Sequence, residues 1–479
     1  MSRSRRIAIP RTTWVDSPGP MSDALLSACA GFGIVPKLFA GSKPLTCIPD
    51  DRLLGQIHAA RITLICGASG AGKSSLLRGI TGRLGQSRAL IVRETLTPDQ
   101  RGRAAFDLLE GPTESRASTL AQAGLAEPRL WARASGSLSV GERARLRLAI
   151  CMHRAEAGDT LIADEFASTI DRASAEALCR TVDRWSMRTG TRVILASAHE
   201  DLETMIGPNL SIDAHRAEAR TPRPRRSATI EIERGDRSDY QRLAPHHYRT
   251  GAPATMVRVL RAIRRVDPTI EPSGRLLAGV LVVSMPALNS AWRHRAWAGS
   301  FQTGSKRKNA QRINASLRTI SRVIVDPRSR GMGVATRLVS GYLADPLTPA
   351  TESIASMGSV CPFFERAGMR SYELVPDAID ARLLDALDAS SVLPERLSDT
   401  LITPGTLLAR ELVTWGKARK LLARGVPSLD QVLRLTPIAA CRLCSRPRAY
   451  AFVKGTSGDE EHNTRDSTTG RRCAASDRA

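Results

Sequence analysis

Apolar positions in this chain cluster into short unbroken runs set between stretches of helical spacing. Ile62–Cys66, Ala89–Val92, Leu161–Ala163 and Val193–Ala196 are strand candidates, and the β-branched run Leu276–Val283 reads as a buried strand. Alternation over Thr229–Glu233 predicts a strand that opens a second domain, and Ile320–Val325 predicts another. Helical patterns cover Ala24–Ala30, Lys73–Gly82, the segment around Leu146, Leu148, Ala149 and Ile150, Thr336–Leu343, Ile379–Leu387 and Leu407–Leu422. The spacing of Met256, Val257, Val259, Leu260 and Ile263 is also read as helical. Strands alternating with helices in the first half predict an α/β fold, followed by an α+β domain and a mainly helical C-terminal region.

A length of 479 residues exceeds what one core supports, so two or three domains are expected. The formal net charge of +23, carried by lysine and arginine with only 4% aromatic residues, points to a polyanionic partner such as DNA or RNA. No run approaches the roughly eighteen apolar residues of a membrane span. Residues 1–20 read as a flexible basic arm without a secretory signal. Nine cysteines scattered from Cys29 to Cys473 do not form a disulfide pattern, which predicts a reducing, cytoplasmic setting.

Chemistry enters after the first strand. Gly67-Ala68-Ser69-Gly70-Ala71-Gly72-Lys73-Ser74, followed by Ser75, fits a strand, glycine turn and helix start that cradle phosphate. Backbone N–H groups converge on the phosphates, Lys73 reaches the β/γ-phosphates and Ser74 suits Mg²⁺. Further on, Leu138-Ser139-Val140-Gly141-Glu142 opens a helix under a serine cap. The run Leu161-Ile162-Ala163 ends in Asp164 and Glu165, one carboxylate for a metal and one to polarise water. Ser168–Asp171 follows, and the strand Val193–Ala196 ends near His199.

In this order and spacing, residues 21–213 resemble the ATP-binding cassette (ABC) family of ATPases. The resemblance implies a Walker A loop at Gly67–Ser74, a signature at Leu138–Glu142, a D-loop at Ser168–Asp171, Asp164 as metal carboxylate, Glu165 as catalytic base and His199 as switch histidine. Gln100, beyond Ala89–Val92, is the candidate glutamine-loop metal or water ligand. ATP and Mg²⁺ are the implied ligands. One signature per chain implies a homodimer that sandwiches ATP, with Leu138, Ser139, Gly141, Glu142 and Asp171 completing the partner's site.

Residues 214–228 read as a basic linker. Beyond it, the tract Arg275–Val325 contains no acidic residue and interleaves Arg293, Arg295, Lys306, Arg307, Lys308, Arg312, Arg318 and Arg322 with Trp292, Trp297 and Phe301. Cations facing phosphates and rings facing unstacked bases would suit a nucleic acid; a solvated loop whose tryptophans pack on the domain is the other reading. The tract ends in a strand and a second glycine turn, Arg328-Ser329-Arg330-Gly331-Met332-Gly333-Val334-Ala335, which opens a helix. With Pro362–Met369, this resembles the pyrophosphate loop and later aromatic motif of GNAT acyltransferases over residues 229–376. The resemblance implies acetyl-CoA or another acyl-CoA bound by Val325, Arg328, Arg330, Gly331, Gly333 and Ala335. The family's frequent general-acid tyrosine corresponds to Phe364, which donates no proton. His247, Tyr248 and Asp326, with Glu352 behind them, are the candidate acyl-transfer residues. Several of these pieces also resemble the Mom-like branch, which is linked with base modification.

Residues 377–453 are expected to be helical and residues 454–479 a disordered tail. Cys441 and Cys444 form a lone C-x-x-C with distant His462 and Cys473, so zinc is not expected. The leading reading is an ATP-hydrolysing, nucleic-acid-directed N-acyltransferase. An ATPase-regulated acetyltransferase of proteins or small molecules, and a DNA-repair or segregation ATPase with a non-catalytic GNAT module, are the alternatives.

Overall fold

The computed structural model describes residues 7–9, 11–12, 22–31, 46–47, 49–84, 88–220, 222, 229–247, 251–301, 304–423, 425–445 and 447–454. Its strands are β1 (Ile7–Ala8), β2 (Arg11–Thr12), β3 (Thr46–Cys47), β4 (Ile62–Cys66), β5 (Ala89–Val92), β6 (Thr160–Ala163), β7 (Arg192–Ser197), β8 (Leu210–Asp213) and β9 (Glu218–Arg220) in the first half. The second half holds β10 (Ile230–Gly235), β11 (Arg258–Arg265), β12 (Arg275–Ser284), β13 (Leu317–Val325), β14 (Ala350–Ala355), β15 (Arg370–Glu373) and β16 (Arg448–Val453).

The first sheet runs β1-β9-β8-β4-β7-β6-β5, with β8, β4, β7, β6 and β5 parallel and β9 and β1 antiparallel at the edge. Alternate residues of the central strands feed two cores, as period-2 geometry demands. Ile65, Ile162, Ile194 and Ile212 pack with Leu76, Leu77 and Ile80 of helix α1 (Lys73–Thr81) on one face. Leu64, Leu161, Val193 and Leu195 pack on the other face with helices α2 (Val140–Arg154) and α3 (Arg172–Thr189) through Leu148, Met152, Leu178 and Val182.

The second sheet runs β10-β11-β12-β13-β14-β16-β15 and is antiparallel except where β13 meets β14. Helix α4 (Lys306–Ser316) leads into β13, and helix α5 (Val334–Ala344) lies on the sheet with Val334, Leu338 and Tyr342 buried. Gly279 makes this fit possible, because a Cβ there would stand 2.9 Å from Val334 Cγ1.

Several expectations are corrected. Met256–Ile263 is not a helix; most of it lies in β11, where pairing on both sides by β10 and β12 outweighs its spacing. Ile7–Ala8, in the expected arm, and Glu218–Arg220, in the expected linker, pair with each other at the edge of the first sheet. The region after residue 376 is not separate: β16 pairs with both β14 and β15, closing the second sheet with residues from the far end of the chain. The helices Ala378–Ala389, Leu407–Ala418 and Leu435–Cys444 thus form an insertion with its own core around Leu383, Leu412 and Trp415. Residues 455–479, most of residues 1–20, and residues 221 and 223–228 of the linker lie outside the described residues.

The two sheets meet through α3. Ala177 on that helix belongs to the apolar cluster of the second sheet. Arg264 of β11, fully buried, ion-pairs with Glu176 of α3 and donates to the carbonyls of Ala173 (3.3 Å) and Arg328 (2.9 Å).

Candidate functional site

Parallel pairing sends the C-terminal ends of β4, β6 and β7 to the same sheet edge, with Cys66 opposite Ser197 and Ala163 opposite Leu195. The order places β7 between β4 and β6, so three loops leave that edge side by side. Gly67–Gly72 leaves β4, Asp164 and Glu165 leave β6, and His199 follows β7. Gly70 (φ 79°) and Gly72 (φ 87°) take left-handed conformations that turn the chain back into α1. Lys73, buried, donates to the carbonyls of Gly67 (2.9 Å) and Ala68 (3.0 Å), which holds the ammonium inside the loop, while Ser74 is exposed at the helix start. Ala68, Ser69 and Gly70 are exposed, Ala71 and Ser75 partly so.

The Glu165 N–H donates to Asp164 Oδ1 (2.9 Å), and Glu165 and Ala167 occupy left-handed φ of 48° and 59° without being glycine. Such turns persist where surrounding bonds impose them. Here Phe166 N–H donates to the Ala196 carbonyl (2.9 Å) and Ser197 Oγ to the Phe166 carbonyl (3.1 Å), tying the carboxylate loop to β7. His199 N–H donates to Ser197 Oγ (3.2 Å), and the ring is partly buried. Burial, with Glu203 and Glu200 adding to it, pushes the Cys66 thiol up to about 12, so it stays protonated beside the loop.

Ser139 caps α2, accepting from the Glu142 N–H (3.3 Å) while Glu142 accepts from the Ser139 N–H (2.8 Å). Leu138 is buried beneath this cap. Gly141 admits the Ser168–Asp171 segment: a Cβ there would stand 2.9 Å from Ile170 Cγ2 and 3.1 Å from the Thr169 carbonyl. Asp171 then caps α3 by accepting from the Ser174 N–H (2.9 Å). Gln100 has a local partner: its Oε1 accepts the Thr97 N–H (3.0 Å) in a capping box, so the side chain serves a helix start.

The second glycine turn has the same logic on the other sheet. Gly331 (φ 75°) and Gly333 (φ 80°) turn the chain into α5. Beneath the turn, β13 and β14 pair only from Leu317↔Ala350 to Ile320↔Ser353, and then part. Ser321–Val325 and Ile354–Met357 both line a cavity of about 1150 Å³ there. Val325, Arg330, Gly331, Gly333 and Ala335 line it too, as does Phe364, whose ring stacks on Phe363 and on Tyr450. Arg328 instead turns to Asp326 (3.0 and 3.1 Å), and that hydrogen bond raises the arginine's affinity for its proton. Asp326 is buried and also caps the Pro327–Ser329 turn, and Glu352 is held by Arg293 (2.6 Å) and Thr319 (2.7 Å). Both carboxylates thus have structural work instead of facing the cavity. His247 lines the cavity, while Tyr248 lies outside the described residues.

The expected stacking platform is corrected as well. Trp292 is 6% exposed and packs between Trp297 (5.7 Å between centroids) and Tyr372 (5.9 Å), and Trp297 meets Phe301 edge-on, so these rings pack on the domain. Arg293 is buried with Glu352, whereas Lys306, Arg307, Lys308 and Arg312 on α4 are exposed. Cys441 and Cys444 are exposed on the last helix before β16, and their distant partners His462 and Cys473 lie outside the described residues.

Sequence reasoning missed residues that reach the cavity from elsewhere. His246 lines it, and its Nδ1 is buried with no partner among the described residues. The first body adds a wall from α3 and from Glu127, whose Oε1 receives Arg330 Nη1 at 3.0 Å. Burial would push the Glu127 carboxyl up, but the charge of Arg330 and the bond from Arg129 hold it below the usual carboxylate range. No residue pattern marks Glu127, since its partner lies about two hundred positions away.

No helix among the described residues is long and apolar enough to cross a membrane. No protein-family model matches this chain, and no curated protein matches it. Solved structures similar to it include ATP-binding cassettes. One is a dimeric cassette in a post-hydrolysis state with ADP and Pi, 16% identical with a TM-score of 0.28, covering 35% of this chain and 86% of that one. A nucleotide-free cassette from an ABC transporter is 16% identical with a TM-score of 0.27, covering 34% of this chain and 81% of that one. An inward-facing ABC transporter of metal-chelate type is 16% identical with a TM-score of 0.27, covering 36% and 80%. Each of these covers about a third of this chain.

Proposed function

We propose that the chain is an ATP-hydrolysing protein whose second body transfers an acyl group from CoA to an amine, with a nucleic acid as the acceptor. For the ATPase, Lys73 and the loop N–H groups bind the phosphates. Ser74 and Asp164 would hold Mg²⁺, which offsets phosphate charge. Glu165 takes a proton from the water that attacks the γ-phosphorus as the bond to the β–γ bridging oxygen breaks, and His199 orients the γ-phosphate. The exposure of Ser139, Val140 and Asp171 supports a homodimer in which each copy completes the other's site.

The observation that carries the acyl-transfer half is the parting of β13 from β14 beneath the Arg330–Gly333 turn. Parting frees backbone groups along Ser321–Val325 for an amide-bearing chain, while the turn and α5 receive phosphates. The amine nitrogen bonds to the thioester carbon, the C–S bond breaks, and the thiolate takes a proton. His246 and His247 are the imidazoles placed to accept the amine's proton. The exposed cations of α4 support a polyanionic acceptor. Mass spectrometry of nucleosides from cells with and without the protein tests this: an added acyl mass on a base supports it. Absence of any shift of DNA or RNA by the purified protein at low salt removes the nucleic acid. Acetylation of a peptide or simple amine without nucleic acid would then favour a protein or small-molecule acceptor.

A further inference from the structure

The cavity beneath the second glycine turn has two owners. On α3, Thr181, Arg184, Trp185 and Arg188 line it, at the i, i+3, i+4, i+7 spacing of one helix face. Ser118, Ala121 and Gln122, on the helix Thr113–Gln122, line it at the same kind of spacing. Gln122 Oε1 accepts from Arg188 Nη2 (2.6 Å), which sets the direction of that guanidinium. All of these belong to the body that carries the ATP loop.

Charge identifies the occupant. Among the described residues the lining contains six arginines, Arg129, Arg184, Arg188, Arg322, Arg330 and Arg366, against one acid, Glu127. That acid is already paired with Arg330 and Arg129. Apolar residues, Val323, Val325, Val334, Val360 and Phe363 among them, line other parts of it. A ligand with several phosphates on one part and an uncharged chain on another fits such a wall, and a coenzyme A thioester has that construction.

We propose that the acyl-CoA site is composite: Arg184 and Arg188 of the ATPase body bind CoA phosphates opposite the Arg330–Gly333 turn. This rests on the acyl-CoA reading of the second body. Its consequence is that neither body alone forms the full site. Because α3 begins at the D-loop residue Asp171, the same helix also joins acyl-CoA binding to the ATP site.

The test is calorimetric titration of the full chain with acetyl-CoA and with 3′-dephospho-CoA, for wild type and for Arg184→Ala/Arg188→Ala. Thermal stabilisation by ATP serves as the control for folding. Charge-assisted bonds predict that the double variant binds acetyl-CoA about tenfold or more weakly while ATP still stabilises it. A smaller penalty with 3′-dephospho-CoA than with acetyl-CoA assigns the pair to the 3′-phosphate, and an equal penalty assigns it to the pyrophosphate. Equal affinity of variant and wild type for acetyl-CoA overturns the composite site and leaves the acyl-CoA reading standing. No binding of acetyl-CoA to the wild type overturns both.

Discussion

Arg264 and Glu176 form an ion pair across the boundary between the two bodies, with the arginine side chain at 0% and the glutamate at 9% exposure. The arginine also bonds the Ala173 and Arg328 carbonyls and Ser329 Oγ. One guanidinium therefore joins the helix that Asp171 caps to the Pro327–Ser329 turn that leads into the second glycine turn.

Removing one partner of such a pair strands the other charge. Arg264→Ala is expected to lower stability by about 3–5 kcal/mol, whereas an apolar pair, Arg264→Met with Glu176→Leu, should lie closer to wild type. Thermal unfolding of the three proteins checks this. A loss under about 1 kcal/mol in the single variant would mean that the pair is hydrated in solution.

Glu165 sits exposed just beyond β6 in a left-handed turn, and the proposed function makes its carboxylate the base. Glu165→Gln keeps size and hydrogen bonding but loses basicity. ATP turnover should fall about 10²–10⁴-fold with ATP affinity retained. Turnover equal to wild type would remove Glu165 from the role of base.

The residues that sequence alone exposes are those whose function needs only their neighbours. Gly67–Ser74 works through its own backbone N–H groups, so strand, turn and helix start are visible within thirteen positions from Ile62 to Ser74. Gln100 shows the limit: a glutamine three positions after a threonine suits a capping box as well as a ligand, and its side chain makes the local hydrogen bond. Long-range pairing hides the rest. β16 enters the second sheet after an inserted helical unit, and β11 is a strand because β10 and β12 flank it. The cavity wall of Glu127, Arg184 and Arg188 exists only once α3 lies against the second body.

Glu127 ties the cavity to pH. Its native pKa lies below the ordinary value, with burial opposing and Arg330 and Arg129 together prevailing. Its stabilising contribution is therefore complete above the ordinary carboxylate pKa and is lost as pH falls through the lowered native value. The difference in melting temperature between wild type and Glu127→Gln should hold steady from neutral to about pH 5 and shrink in more acid solution. A difference that stays constant down to about pH 2 would show that charge is not its source.

Gly331 of the second glycine turn lies against α3. It holds a left-handed φ of 75°, and a Cβ at this position would run into Thr181 Oγ1, with Thr181 Cβ at 3.7 Å. Gly331→Ala thus carries two separable costs: about 1–2 kcal/mol for a side chain in left-handed backbone, and the collision with α3. Thr181→Ala removes the hydroxyl and so only the second. In a double-mutant cycle followed by thermal unfolding, Gly331→Ala should cost less when Thr181 is already alanine, with a coupling of at least about 1 kcal/mol. Additive effects would mean that the helix and the loop stand apart in solution, and the shared cavity would lose the contact that brings its two walls together.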